Sequence, residues 1–226
     1  MNEGPAWFQT IESFAGLMWY AKCKKDALAR MRRFVPPTDS FELRMAYSQY
    51  FVNLLSLIDQ AKEIFKGDFE FDWKNSLEIK WKSGDLVNQY LRDVRNAIIH
   101  RGFDATNAAE VVGGYVLPLS PLQIPNRQGR MIGHTPPAKY LLQIAFACEE
   151  SASEVILRHA QPSIDKSNSV SLEVKKQHIH RLIYDNARIP DKIKSFILEK
   201  FDEIVWSKIF ENDHNSLREI LRPDNE

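Results

Sequence analysis

The chain has 226 residues, enough to bury a sizeable core in one large domain or in one domain with an appendage. Its thirty basic residues balance thirty acidic ones, which excludes the broad positive field of a general polyanion binder, so any nucleic-acid site must be local. No apolar run approaches the roughly 18 residues of a membrane span. No cationic stretch precedes an apolar one at the start. Two cysteines, Cys23 and Cys148, are too few for a disulfide framework or a zinc-ligand set, so the expectation is a cytoplasmic protein with reduced thiols.

From about Ala6 to Phe34, the residues Trp7, Ile11, Phe14, Met18, Ala21, Leu28 and Met31 recur near one helical face. Pro36-Pro37 ends that helix, since proline lacks an N–H and keeps its predecessor out of helical conformation. Asp39 and Glu42 have the spacing of a capping box for a second helix. This helix turns Tyr47, Tyr50, Phe51, Leu54, Leu55, Ile58 and Ala61 inward and stops at Gly67. Between Asp68 and Lys82, Trp73, Leu77 and Trp81 sit four apart and predict a short helix in part of the connection. Asp85 opens a third helix with Leu86, Tyr90, Leu91, Val94 and Ile98 as its stripe, closed by Gly102.

Ala105 to Pro137 carries Gly113-Gly114, Pro118, Pro121, Pro125, Gly129 and Gly133, which forbid a long helix. Val111–Leu119 is expected as one arm of a β-hairpin with Met131-Ile132 near the other. So long an insert is either a substrate- or partner-facing element or a tolerated surface insertion. Thr135-Pro136 reads as the cap of a fourth helix burying Tyr140, Leu141, Ile144, Ala145, Cys148, Ala152, Val155 and Ile156. Gln161–Ser169 reads as a linker. Helices follow near Ser171–Asn186 and Pro190–Phe210, with a last turn from Asp213 to Leu221. In the longer of them Ile193, Phe196, Ile197, Phe201, Ile204, Val205 and Ile209 form a stripe. The sum is an all-α protein. Residues 1–160 form an up-and-down four-helix bundle with a small β-hairpin insert at about 103–137, and residues 161–226 a linker and C-terminal helical extension.

Three groups of residues could carry chemistry. Lys22, Lys24, Lys25, Arg30, Arg32 and Arg33 run along the end of the first helix with Asp26 the only acid among them. They are a candidate RNA-binding patch or a solvated helix face. Metal ligation is not expected. A di-metal carboxylate bundle needs two Glu-x-x-His pairs on facing helices, and only Glu211 with His214 has that spacing, while His178 and His180 face apart on a helix. The third group is Arg95-Asn96-Ala97-Ile98-Ile99-His100, late in the third helix. Five positions place Arg95 and His100 about 140° apart, with about 7.5 Å of rise between them. Arginine grips phosphate oxygens with a planar fork, and histidine exchanges protons near neutral pH.

That stretch, read as Leu91-Arg92-Asp93-Val94-Arg95-Asn96-Ala97-Ile98-Ile99-His100-Arg101-Gly102, resembles the HEPN family, whose mark is arginine, four to six residues, then histidine. Arg127 and His134 match the bare spacing as well, but inside the proline- and glycine-rich insert, and read as a decoy. The resemblance covers roughly residues 6–160 and implies a helical bundle that dimerises so that both motifs line one cleft. It implies a metal-independent endoribonuclease needing no cofactor, of the kind that serves as a toxin or phage-defence effector, with RNA such as tRNA as substrate and an antitoxin or regulatory protein as a further partner. Arg95 would hold the scissile phosphate, His100 would take the 2′-hydroxyl proton, and Asn96 would bind phosphate or orient His100; Arg101 joins the RNA-contacting cations. Gly102 stands where some relatives carry a nucleotide-accepting tyrosine, so that form of regulation is not expected. The alternative belongs to another class: a non-catalytic helical module binding RNA, nucleotide or a protein partner. A buried, ion-paired Arg95 would favour the module, and two copies of Arg95 and His100 converging on an open cleft would favour the enzyme.

Overall fold

The computed structural model describes residues 6–80 and 83–222, with side chains described within 14–77, 83–209 and 217–222. Trp7, Ile11, Trp81, Glu211 and His214, singled out above, fall outside the described side chains. The chain is mostly helical: α1 (Ala6–Met31), α2 (Ser40–Phe65), α3 (Phe69–Lys80), α4 (Gly84–Arg101), α5 (Leu141–Asn168), α6 (Leu172–Asp185), α7 (Asp191–Glu199) and α8 (Trp206–Leu221). Four short strands lie between α4 and α5: β1 (Ala109–Val112), β2 (Tyr115–Pro118), β3 (Gln123–Pro125) and β4 (Met131–Gly133). Among the described residues no helix is long and apolar enough to cross a membrane.

The apolar periodicity of α1, α2, α4 and α5 converges on one core. Leu17 and Ala21 meet Tyr47, Phe51, Leu54 and Leu55, while Leu91, Val94, Ile144, Ala145, Cys148 and Ala152 close it from α4 and α5, all fully buried. Each such side chain stabilises the fold by about 1.5–3 kcal/mol when large and apolar. Asp39 Oδ1 caps α2 by accepting from the N–H groups of Phe41 and Glu42. The helix α3 exists because Phe69, Trp73 and Leu77 all reach the core. It stands between α4 and α5, so α4 meets α5 chiefly through it. An ion network ties α2, α3 and α4 at the surface: Glu70 pairs with Lys62 and, at 3.5 Å, with Lys74, which reaches Asp85 at 2.9 Å.

The Lys62 hydrogen bond, supported by Lys74, holds the Glu70 carboxyl below its usual range. Glu70 is therefore ionised in the fold where the unfolded chain has begun to protonate. Its contribution is complete above the ordinary carboxylate range and is lost as pH falls through the folded value. Because the group is partly exposed, we expect Glu70→Gln to remove less than about 1 kcal/mol at neutral pH and to flatten the acid limb. Chemical denaturation at two pH values checks this; an unchanged acid limb would contradict it.

Four regions differ from the sequence expectation. The insert holds two hairpins rather than one. Gly113 and Gly114, at φ 59° and 85°, make a two-residue turn that pairs β1 with β2, and Met131-Ile132 pairs with β3 instead. Thr135-Pro136 does not cap α5. Residues 139 and 140 are held to the end of the first hairpin by Ser120 N–H to Lys139 O and by the Leu119–Tyr140 bridge, so the helix begins at Leu141. Residues 161–169 are not a linker, because α5 continues to Asn168. Ala160, Ile164 and Ser167 prolong its buried stripe, and Pro162 lies on the exposed face, where the carbonyl it leaves unpaired meets water.

The helix expected from Pro190 to Phe210 breaks between Glu199 and Trp206. Five residues apart on one helix, Phe201 and Trp206 would point about 140° away from each other. The break lets them pack together, with centroids 4.5 Å apart, in a small second core with Ile179, Ile183 and Leu198. Trp206 Nε1–H also donates to Phe201 O at 2.8 Å. Ile193 and Phe196 of the expected stripe are exposed. The helix α8, longer than the expected last turn, lays Leu217 and Leu221 into the main core against α1 and α5.

Candidate functional site

The motif helix α4 is fixed at both ends. Ser83 caps its start, and Trp73 Nε1–H donates to the buried Asn88 at 3.0 Å, tying α4 to α3. At its far end Gly102 sits in the left-handed region at φ 58°. Gly102 N–H bonds to Ile98 O at 3.1 Å, the single closing bond of a left-handed cap, and Phe103 N–H reaches Ala97 O at 3.2 Å. Arg44 of α2 donates to Gly102 O and clamps the turn that carries His100.

On this fixed helix the three motif residues take different surroundings. Arg95 faces α2, where its Nη2 lies 2.5 Å from Asp59 Oδ2, and its side chain is 20% exposed. Arg92 reaches the other oxygen of Asp59 at 2.8 Å. Two guanidinium groups on one carboxylate leave one net positive charge. Asp59 holds Arg95 in a fixed posture without neutralising the pair. His100 is exposed and makes no hydrogen bond or ion pair among the described residues. Asn96 lines a cleft of about 320 Å³ with Asp93, Arg101, Pro125, Asn126, Arg127 and Gln128. Within one copy, Arg95 and His100 are not brought together.

The insert folds back over the motif helix. Ile124 of β3 is buried in the core, and β3 packs on α4. His134 Nε2 lies 3.7 Å from Asp93 Oδ2, with its ring edge-on to Tyr90 at 5.7 Å. Thus Arg127 and His134, read as a decoy because they lie in the insert, border the motif after all. Asp59 carried no local signal, and the spacing of Arg127 and His134 did not place them beside α4; each gains that position only from tertiary proximity.

The basic run of α1 does not form one patch. Lys24 is fully buried and paired with Glu149 of α5, because its position falls on the core stripe. Lys25 reaches the carbonyl oxygens of Glu219 and Arg222 at the end of α8. Arg30 pairs with Gln49 and Asp26, and Arg32 lies 5.6 Å over the Phe146 ring. Only Lys22 and Arg33 of the run are exposed without such contacts. The run also sits on a helix that packs on α2, α5 and α8, whereas α4 packs on α2, α3 and β3.

Two larger grooves exist. One of about 600 Å³ lies within the insert, lined by Phe103, Leu122, Met131 and Lys139. The other, about 630 Å³, lies beside α6 with His180, Tyr184 and Phe201. Neither contains a motif residue, and chemistry rather than size directs attention to α4.

No family model, curated protein or solved structure matches the chain. The functional reading therefore rests on the residues and their geometry.

Proposed function

We propose that the chain is a HEPN-like ribonuclease that works as a homodimer and needs no metal. Its bundle consists of α1, α2, α4 and α5, with α3 wedged beside α4. The observation that supports this reading is the exposed His100, engaged with nothing else and held on a clamped helix end, beyond an arginine oriented by Asp59. Since Arg95 and His100 diverge by about 140° on one helix, a second copy across a two-fold axis supplies the convergence. His100 takes the proton of the ribose 2′-hydroxyl. The freed oxygen attacks the phosphorus in line, while Arg95 binds the non-bridging oxygens as negative charge grows on them. Asn96 hydrogen-bonds the phosphate or orients His100. The 5′-oxygen leaves and takes a proton from water, giving a 2′,3′-cyclic phosphate and a 5′-hydroxyl. An activity of this kind fits a toxin or defence effector.

One observation favours a second reading. Arg95 is largely covered and paired with a carboxylate, as expected of a non-catalytic module that binds RNA, nucleotide or a protein partner. The two readings separate in one assay. Labelled RNA, total tRNA included, is incubated with the protein in excess chelator. The ribonuclease reading expects fragments ending in cyclic phosphate and an intact DNA of the same sequence, since DNA lacks the attacking hydroxyl. Intact RNA across that panel selects the module.

A further inference from the structure

The second hairpin of the insert adds a wall that the motif alone does not supply. Its tip, between β3 and β4, is built to hold one shape. Asn126 Oδ1 accepts from the N–H groups of Gln128 at 2.9 Å and Arg130 at 3.0 Å, and Asn126 N–H donates to Arg130 O at 2.9 Å. Gly129 takes φ 82° to close the turn. The hairpin is seated on α4 through Ile124 in the core and His134 against Asp93 and Tyr90. Arg127 and Gln128 therefore stand on a pre-formed turn opposite Asn96 and Arg101, across the cleft of about 320 Å³. That volume is at the lower end of the roughly 300–1,000 Å³ typical of ligand sites.

We infer that this cleft is a subsite for the RNA strand next to the cut. Arg127 and Arg101 grip a flanking phosphate from opposite walls, and Gln128 and Asn96 add amide contacts. The inference rests on the ribonuclease reading for its substrate, and it assigns the hairpin a task that reading leaves open. The charges agree with it. Among the described residues the only acid lining the cleft is Asp93, which accepts from Gln89 at 2.9 Å and faces His134, so two guanidinium groups outweigh one occupied carboxylate. The C-terminal end of α4 carries about half a negative charge, which works against an anion. Arg101 and Arg127 bring two full positive charges, and Arg44 already covers the terminal carbonyl of Gly102. A turn ordered before binding also lowers the entropy lost on association.

The test uses a short fluorescein-labelled 2′-O-methyl RNA of mixed sequence, which cannot be cut by 2′-hydroxyl attack. Its binding to the wild-type protein is followed by anisotropy over a salt series and compared with Arg127→Glu and Arg130→Glu. Arg130 is exposed on the same hairpin but does not line the cleft, so it reports a general charge effect. We expect Arg127→Glu to weaken binding by at least about tenfold and to lower the salt slope by about one or more, and Arg130→Glu to change binding by less than about threefold. Equal losses from both variants, or no loss from Arg127→Glu, would overturn the subsite while leaving cleavage by the motif untouched. No binding by the wild-type protein would overturn it as well. Binding that depends on Arg127 in a protein that cuts no RNA would uphold the cleft and remove the ribonuclease reading alone.

Discussion

Replacing His100 with alanine is expected to lower RNA cleavage by about 10²–10⁴-fold, the range over which a positioned general base contributes. The folded state should be untouched, because His100 is exposed and engages no other group among the described residues. Arg95 poses a different test. Arg95→Lys keeps the charge but loses the planar fork, so the ribonuclease reading expects a large loss of kcat. Asp59 would still hold Arg92, and the helix would stay in place. Circular dichroism and denaturation of both variants, beside cleavage in chelator, separate chemistry from folding. Full activity in a well-folded His100→Ala protein would remove the catalytic assignment, whatever Arg95 does.

The largest effect on stability is expected at Glu149. Lys24 and Glu149 form an ion pair inside the main core, joining α1 to α5. The Tyr50 hydroxyl completes the group, 2.8 Å from Ala145 O and 2.9 Å from Glu149 Oε1. Burial, and then the charge of Glu149, raises the pKa of Tyr50 well above its ordinary value, so the hydroxyl stays a donor across the working pH range. Glu149→Ala leaves an ammonium group in the core with no countercharge, a change that costs about 3–5 kcal/mol. At about 2–4 °C per kcal/mol for a chain of this size, the melting temperature should fall by roughly 10 °C. Lys24→Met combined with Glu149→Leu should recover most of that, because an apolar pair of similar volume avoids desolvation altogether. A fall of only a degree or two in the single variant would mean that water reaches the pair.

Much of this architecture could be read in the sequence where periodicity and punctuation agree. Asp39 as the cap of α2 and Gly102 as the stop of α4 are local chemistry, and both occur as expected. The inward stripe of α2 is equally direct, since every third or fourth residue is apolar. The failures have a common source in long-range contacts. Pro162 looks like a break until Ile164 and Ser167 are seen to continue a buried face. Lys24 looks like surface until Glu149 arrives from 125 positions away. The stripe from Ile193 to Ile209 looks helical until the packing of Phe201 on Trp206 breaks it. At the candidate site a resemblance singles out Arg95 to His100, and the geometry of their surroundings was not legible. Asp59 and Arg127 come from other elements, and no spacing along the chain places them beside α4. The same limit explains why the α1 basic run misled, for charge along a helix does not reveal which side faces inward.

The closing of α8 onto α1 has a temporal consequence. Lys25 meets the carbonyl of Glu219 across 194 positions, and Leu217 and Leu221 are fully buried there. At roughly 5–20 residues per second, a ribosome needs about 10–40 s to make the chain between those partners. The seat is complete only once α5 ends at Asn168, so its apolar floor stands uncovered for about 3–11 s while the chain from there to Leu221 is made. A nascent chain thus displays the motif helix, complete at Arg101, for about 6–24 s before α8 seals the core.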